Sequence, residues 1–172
     1  MINDIFKNII RFIALLFVQL LVVNQIELSG YVNPYLYVLF IIMLPINWSK
    51  HLVLILSMLV GFCMDIFSNT LGMHTSACLL IGFLRPFILN VIAPREDIEI
   101  ILSLDIKGLG LSKFFVYASL MVLIHHLWLY ILEAFTFLFI LDLLLRVILS
   151  SFATLLLILL SQMFLSFKRE ST

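Results

Sequence analysis

The stretch that decides the fold is Gly61–Pro86, GFCMDIFSNTLGMHTSACLLIGFLRP. Two apolar segments meet in it at a tight turn. Its few polar or small residues recur at helical spacing, Gly61 and Asp65 on the first segment and Thr75, Cys78, Gly82 and Arg85 on the second. Each set therefore lies on one face of a predicted helix. An acid and a base inside membrane-length apolar sequence usually face protein rather than lipid. This hairpin is the predicted functional centre.

The composition identifies an integral membrane protein. Apolar residues make up 64% of the 172 residues and charged residues only 12%, whereas a soluble domain has about 25% charged residues. A bilayer core needs roughly 20 helical residues for each crossing, so the length accommodates six crossings and no sizeable soluble domain. The formal net charge of zero gives no basic excess for nucleic acid. Cys63 and Cys78 have neither disulfide nor metal-site spacing.

Hydropathy and turn residues predict one all-α domain, residues 1–172, with six transmembrane helices. The predicted helices are about 6–26, 32–47, 52–67, 73–92, 113–132 and 143–166. The first is an uncleaved helix, because it lacks the small-residue pattern of a signal-peptide cleavage site. A region between the last two helices, 129–147, also fits five crossings plus a re-entrant piece.

Two further features are expected outside the hairpin. Aromatic residues flank the second predicted helix as interfacial anchors, namely Tyr31, Tyr35 and Tyr37 at one end and Trp48 at the other. The polar segment 93–112 contains an apolar piece, 98–102, that is predicted to lie on the membrane surface.

The basic residues predict the orientation. Cytoplasmic segments carry an excess of Lys and Arg, and an even number of helices places both termini on one side. With both termini inside, eight basic residues lie at the cytoplasmic side: Lys7, Arg11, Lys50, Arg95, Lys107, Lys113, Lys168 and Arg169. Only Arg146 lies near the opposite face. The predicted topology is therefore N-in and C-in.

Depth separates the two charges of the hairpin. Arg85 lies about 18 Å below the outer start of its helix at 1.5 Å per residue, so Asp65 and Arg85 are not expected to pair. Asp65 has other candidate partners at its own level: His74, Glu133, Asp142 and above all Arg146. An Asp65–Arg146 pair would join the third and sixth helices, either to hold the fold together or as part of a cluster that contacts a ligand or partner.

Two other polar positions have more than one interpretation. Arg85 either snorkels to the inner headgroups, or caps a cavity or contacts another protein. His126 shares a stripe with Ser112, Ser119 and Glu133, which is typical of a seam that faces the bundle. The adjacent pair His125-His126 does not indicate metal, because neighbouring helical residues point about 100° apart.

Catalysis has no support in the sequence. There is no HExxH, no GxSxG and no glycine-rich phosphate loop. No nucleophile and base, and no set of metal ligands, can be assembled from these residues. The chain is therefore predicted to be no enzyme and to use no metal or cofactor.

The order of these features resembles the bacterial rod shape-determining MreD family. The resemblance rests on Gly61-Phe62-Cys63-Met64-Asp65, on Leu71-Gly72-Met73-His74, and on the apolar helix that ends in Arg85. It continues through the polar loop after the fourth helix and His125-His126 ahead of Leu-Glu-Ala-Phe. A Leu-rich last helix ending in Lys168-Arg169 completes it.

The resemblance implies a non-enzymatic scaffold subunit of the cell-wall elongation (Rod) complex in the bacterial inner membrane. Proteins of this family bind the membrane anchor of MreC and, by association, MreB, RodA and a class B penicillin-binding protein. The family is similar in architecture to the substrate-binding subunits of energy-coupling-factor transporters. Asp65 and Gly72 match positions of the family motif, but the match assigns them no role.

Two mechanisms follow as hypotheses. In the first, a groove bounded by the third and fourth helices, at Gly61 and Gly82, receives a partner's transmembrane helix. In the second, the chain is a transporter subunit that holds a small molecule near the outer face, against mostly apolar walls. Its polar contacts would be Asp65, His74, His126 and Glu133.

Overall fold

The computed structural model describes residues 2–25, 31–93, 103–134 and 140–168. These residues form helices and no strand. The helices are α1 (Ile2–Leu21), α2 (Val38–Ile42), α3 (Lys50–Ser68), α4 (Met73–Ile92), α5 (Ile106–Leu109), α6 (Leu111–Ala134) and α7 (Ile140–Lys168). A 3-10 turn, Val23–Gln25, follows α1. Five helices, all except α2 and α5, are long and apolar enough to cross a membrane.

The α3–α4 hairpin matches its prediction within two residues at each helix end. The Ser49 side chain accepts a hydrogen bond from the backbone N–H of Leu52 and begins α3. Asn69 adopts the left-handed conformation that ends it. Gly72, with φ of +79°, begins α4, a backbone conformation that favours glycine. We call this end of the bundle the Thr70 end and the opposite end, where α3 begins, the Lys50 end.

The prediction of a second long helix at 32–47 is wrong. Only the five residues of α2 are helical there, and the rest of residues 31–49, here called the central segment, is turn or extended chain. Pro45 limits the helix at its C-terminal side, because proline lacks a backbone N–H and disfavours a helical conformation in the residue before it. The central segment is nevertheless the core of the molecule, with every side chain from Leu36 to Ile42 buried.

The central segment runs antiparallel to α1. Near the end of α1, Gln19 donates from Nε2 to the Pro34 carbonyl (3.0 Å) and accepts from the Tyr37 N–H (3.3 Å). Near the start of α1, Arg11 donates from Nη1 to the Met43 carbonyl (3.1 Å). The segment therefore leads from the Thr70 end back towards the Lys50 end.

Side chains of the surrounding helices replace the hydrogen bonds that a helix would have made. The backbone N–H of Asn33 donates to Ser150 Oγ (3.0 Å), and that of Tyr35 donates to Thr154 Oγ1 (2.9 Å). The Tyr117 hydroxyl donates to the Ile42 carbonyl (3.2 Å). Non-helical backbone at membrane depth is tolerated only where protein or water surrounds it. The polar residues of α7 and α6 therefore hold this segment in place.

Replacing Gln19 by leucine is expected to destabilise the protein by about 1–2 kcal/mol. The substitution leaves a buried carbonyl and a buried N–H of the central segment without their partner, and each such loss carries a desolvation penalty. Gln25→Leu is the matched control, because Gln25 is exposed and its side chain donates to the nearby Leu20 carbonyl. Thermal unfolding in detergent measures both variants. Equal melting of the two would contradict a supporting role for Gln19.

The last two predicted helices are present in the structure, and both are longer than predicted. The last two helices, predicted at about 113–132 and 143–166, extend over Leu111–Ala134 and Ile140–Lys168. The turn between them, 135–139, and the predicted surface piece, 98–102, lie outside the described residues. The sequence did not predict α5. Asp105 caps this short helix by accepting from the N–H of Gly108 (2.8 Å).

Candidate functional site

The Asp65 carboxylate joins the two helices of the hairpin. Its Oδ1 accepts from Thr70 Oγ1 (2.6 Å) and from the backbone N–H of His74 (3.0 Å), and its Oδ2 accepts from the backbone N–H of Thr75 (2.9 Å) and from the Thr75 hydroxyl. These two N–H groups belong to the first turn of α4, where a negative charge is stabilised. The Asp65 carbonyl also accepts from the N–H of Thr70 (3.0 Å). Asp65 therefore holds the turn after α3 and caps α4.

The expected ion pair between Asp65 and Arg146 is wrong. Arg146 lies 3.9 Å from Glu133, between Nη1 and Oε1, and its guanidinium lies 5.3 Å from the centre of the Tyr31 ring. Both members of the Arg146–Glu133 pair are partly exposed, so the pair contributes little to stability. The turn and the first turn of α4 satisfy Asp65 locally, and no distant cation is needed.

Asp65 and Arg85 are far apart, as the depth arithmetic predicted, but Arg85 does not snorkel. Its side chain is only 4% exposed. Arg85 donates from Nε to the Tyr117 hydroxyl (3.2 Å) and from Nη2 to the Leu44 carbonyl. It turns inward because the buried central segment presents a backbone carbonyl that accepts its hydrogen bond.

A cluster of tyrosine and histidine side chains lies beneath the Thr70 end. The Tyr37 hydroxyl lies 2.8 Å from His74 Nδ1 and 2.9 Å from His125 Nε2. Since a hydroxyl has one hydrogen, it donates to one ring and accepts from the other. The Tyr35 ring packs against the rings of His74 and His126, with centroid distances of 5.2 Å in both cases.

His126 belongs to this cluster as a hydrogen-bonded core residue. Its Nδ1 lies 2.9 Å from the Val122 carbonyl and its Nε2 lies 3.1 Å from Thr154 Oγ1. A carbonyl only accepts, so Nδ1 carries the proton and Nε2 accepts from the threonine hydroxyl. Thr154 in turn accepts from Tyr35. His126 therefore helps to position the central segment and faces the bundle as the sequence predicts. Ser112 and Glu133, at the two ends of the predicted seam, are exposed.

A cavity of about 390 Å³ opens above this cluster at the Thr70 end, and we call it the Thr70-end cavity. Five parts of the chain surround it: the 3-10 turn after α1, the start of the central segment, the hairpin turn, the start of α4 and the end of α6. Its lining includes Asn24, Asn33, Tyr35, Thr70, His74 and Glu133. The structure thus brings together His74 and Glu133 of the predicted small-molecule site. Asp65 and His126 do not line the cavity.

The sequence missed the contribution of the central segment to this site. Tyr35 and Tyr37 were expected as interfacial anchors, but Tyr37 is fully buried and Tyr35 is half-buried. Only Tyr31 of the three is exposed. Pro45 was the available signal, because a proline at this position interrupts the predicted helix 32–47.

The small residues Gly61 and Gly82 bring α3 and α4 together. A Cβ on Gly61 would lie 2.5 Å from the Thr75 Cα, and one on Gly82 would lie 2.4 Å from Ser57 Oγ. Both glycines therefore lie in the contact between the two helices. At Gly61 the two helices fill the space of the predicted partner-binding groove with each other, whereas Gly82 also lines a cavity between them. The binding of a partner helix there stays a prediction.

The described residues contain no group of three or more His, Cys, Asp or Glu side chains that could hold a metal ion. Cys63 and Cys78 are free thiols. The polar groups beneath the Thr70-end cavity bond mainly to each other and to the backbone of the central segment, an arrangement suited to holding a fold. No family model, curated protein or solved structure matches this chain.

Proposed function

We propose that the protein is a non-enzymatic scaffold of the bacterial cell-wall elongation machinery, a member of the MreD family that helps to maintain cell shape. Its partners in this proposal are MreC and, indirectly, MreB, RodA and a class B penicillin-binding protein. The Thr70-end cavity carries the proposal. It is an open, polar and aromatic recess, whereas most polar groups below it are already bonded within the protein.

The proposal includes a topology with six crossings in the inner membrane. The five membrane-length helices supply five of them. The central segment supplies the sixth as a mostly non-helical crossing, which is feasible because it is buried and its backbone is hydrogen-bonded by side chains. Both termini then lie in the cytoplasm, and the Thr70 end faces outward. The architecture of the energy-coupling-factor substrate-binding subunits belongs to this proposal as well.

The docking position differs from the groove between α3 and α4. We place the part of MreC that follows its anchor helix against the Thr70-end cavity, since polar side chains from several elements converge there. The anchor helix itself packs on a lipid-facing helix. Large apolar side chains are exposed along α1, among them Phe6, Ile13 and Phe17, and they suit contact with another transmembrane helix as well as with lipid.

Site-specific photo-crosslinking in cells tests this proposal. A photoreactive amino acid replaces Asn33 or Asn24 at the cavity, and Phe87 on the exposed face of α4 serves as the control. Crosslinks to MreC at Asn33 or Asn24 and none at Phe87 are expected. Absence of MreC from every crosslinked product, with the protein correctly inserted, would refute the scaffold role.

The same cavity favours a second candidate function, a small-molecule-binding subunit of a membrane transporter. A volume of about 390 Å³ falls within the range of small-molecule pockets, about 300–1,000 Å³. Thermal-shift screening against water-soluble vitamins separates the two candidates. One compound that strongly raises the melting temperature, and loses its effect in the Glu133→Gln variant, would support the transporter role.

A further inference from the structure

Arg85 is a buried cation with no acidic partner among the residues that the structure describes. It is 4% exposed, and its described hydrogen bonds go to two uncharged groups, the Tyr117 hydroxyl and the Leu44 carbonyl. A guanidinium stays protonated in proteins and carries five N–H donors. Since a buried charge is costly unless it is compensated, the remaining donors of Arg85 point to an anionic partner.

Arg85 lines a cavity of about 440 Å³ between α3 and α4 at the Lys50 end, which we call the Arg85 cavity. Its walls are mostly apolar, and the polar residues among them are Lys50, His51 and Asn90. Among the residues that the structure describes, no Asp or Glu lines it. Lys50 is the exposed first residue of α3. One cation therefore lies at the membrane-surface end of the cavity and another is part of its wall.

The depth of the cavity fits an amphiphile rather than a soluble anion. Arg85 lies seven residues before the last residue of α4, which is about 10 Å at 1.5 Å per residue. The cavity also reaches the side of the bundle, since Phe83 and Phe87 line it and both are exposed on a membrane-length helix. A ligand that lies in the bilayer can enter from there.

We propose that the Arg85 cavity binds an anionic phospholipid, with the phosphate between Lys50 and Arg85 and an acyl chain along the apolar wall. Arginine binds phosphate oxygens through paired N–H donors, and basic pockets between transmembrane helices bind anionic headgroups. The proposal does not depend on the MreD assignment, because it uses only the Arg85 cavity and membrane insertion.

Native mass spectrometry of the full chain in mild detergent tests the proposal. The protein is mixed with phosphatidylglycerol or phosphatidylcholine of identical acyl chains, and retained lipid is counted. Preferential retention of phosphatidylglycerol is expected. Arg85→Gln should weaken it about tenfold, the effect of losing a charge-assisted hydrogen bond. Lys50→Gln should weaken it too.

The controls keep the test decisive. Lys7→Gln removes an exposed positive charge from α1 at the same end of the bundle and should leave lipid retention unchanged. Because Arg85→Gln also removes internal hydrogen bonds, Lys50→Gln provides a second variant at an exposed position. Equal retention of both lipids, or an equal loss in Lys7→Gln, would overturn the proposal. Release of the lipid by inorganic phosphate, regardless of acyl-chain length, would identify a soluble anion as the ligand and would also overturn it.

Discussion

The Asp65→Ala variant is expected to lose about 3–5 kcal/mol of stability, since hydrogen bonds to a charged group contribute about 1.5–3 kcal/mol each and are not additive. The substitution removes the acceptor of four hydrogen bonds at once. Two of the donors are N–H groups in the first turn of α4, which have no partner within their own helix. The start of α4 and the turn that leads to it should loosen together.

Graded variants separate charge from shape at this position. Asp65→Asn keeps one acceptor oxygen but turns an NH₂ group towards the donors, so its loss should be intermediate. Asp142→Ala is the control, because Asp142 is an exposed acid on α7. Thermal unfolding in detergent ranks the three variants. If Asp65→Ala and Asp142→Ala had the same melting temperature, the Asp65 carboxylate would not hold the hairpin.

The α3–α4 hairpin was predictable because its signals are local. Gly61 and Asp65 share a helical face, and Ser68, Asn69, Thr70 and Gly72 are turn formers. Both helix ends follow from these residues within two positions. The role of Asp65 was harder to predict from the sequence. A buried acid indicates that it has a partner, but sequence spacing alone favoured the distant Arg146 over the nearby N–H groups of α4.

The central segment was not predictable from hydropathy. Its run of apolar residues fits a buried helix as well as a buried irregular chain. An irregular chain can be buried only where side chains of other helices hydrogen-bond its backbone, which a buried helix does not need. Ser150, for example, accepts from the N–H of Asn33 although the two are 117 residues apart. Such long-range partners leave no pattern in the local sequence. The polar positions of the last helix were visible, but their partners were not.

The error at Arg85 has the same origin. Its depth in α4 was correctly inferred from the helical rise, and snorkelling was a reasonable expectation for a cation near the interface. The Leu44 carbonyl of the buried central segment accepts a hydrogen bond from Arg85 and changed the outcome. An irregular neighbour can therefore draw a charged side chain into the core.

The Gly61→Val variant is expected to lose at least about 3 kcal/mol, the upper end of the usual range for overpacking. A Cβ at this position would lie 2.5 Å from the Thr75 Cα, 2.7 Å from the His74 carbonyl oxygen and 2.8 Å from the Thr75 nitrogen. All three are backbone atoms, so no side-chain rotation relieves the overlap. Helix propensity opposes the effect by less than about 1 kcal/mol, and the clash dominates.

A double-mutant cycle with Asp65 tests this mechanism beyond simple loss of stability. The His74 and Thr75 backbone that a Gly61 side chain would displace also donates to the Asp65 carboxylate. If Gly61→Val pushes α4 away, these bonds are already weakened, and adding Asp65→Ala should cost less than it does alone. Phe62→Ala, at a neighbouring residue exposed on α3, should add independently to Asp65→Ala. Strict additivity of Gly61→Val and Asp65→Ala would mean that the two residues stabilise separate contacts.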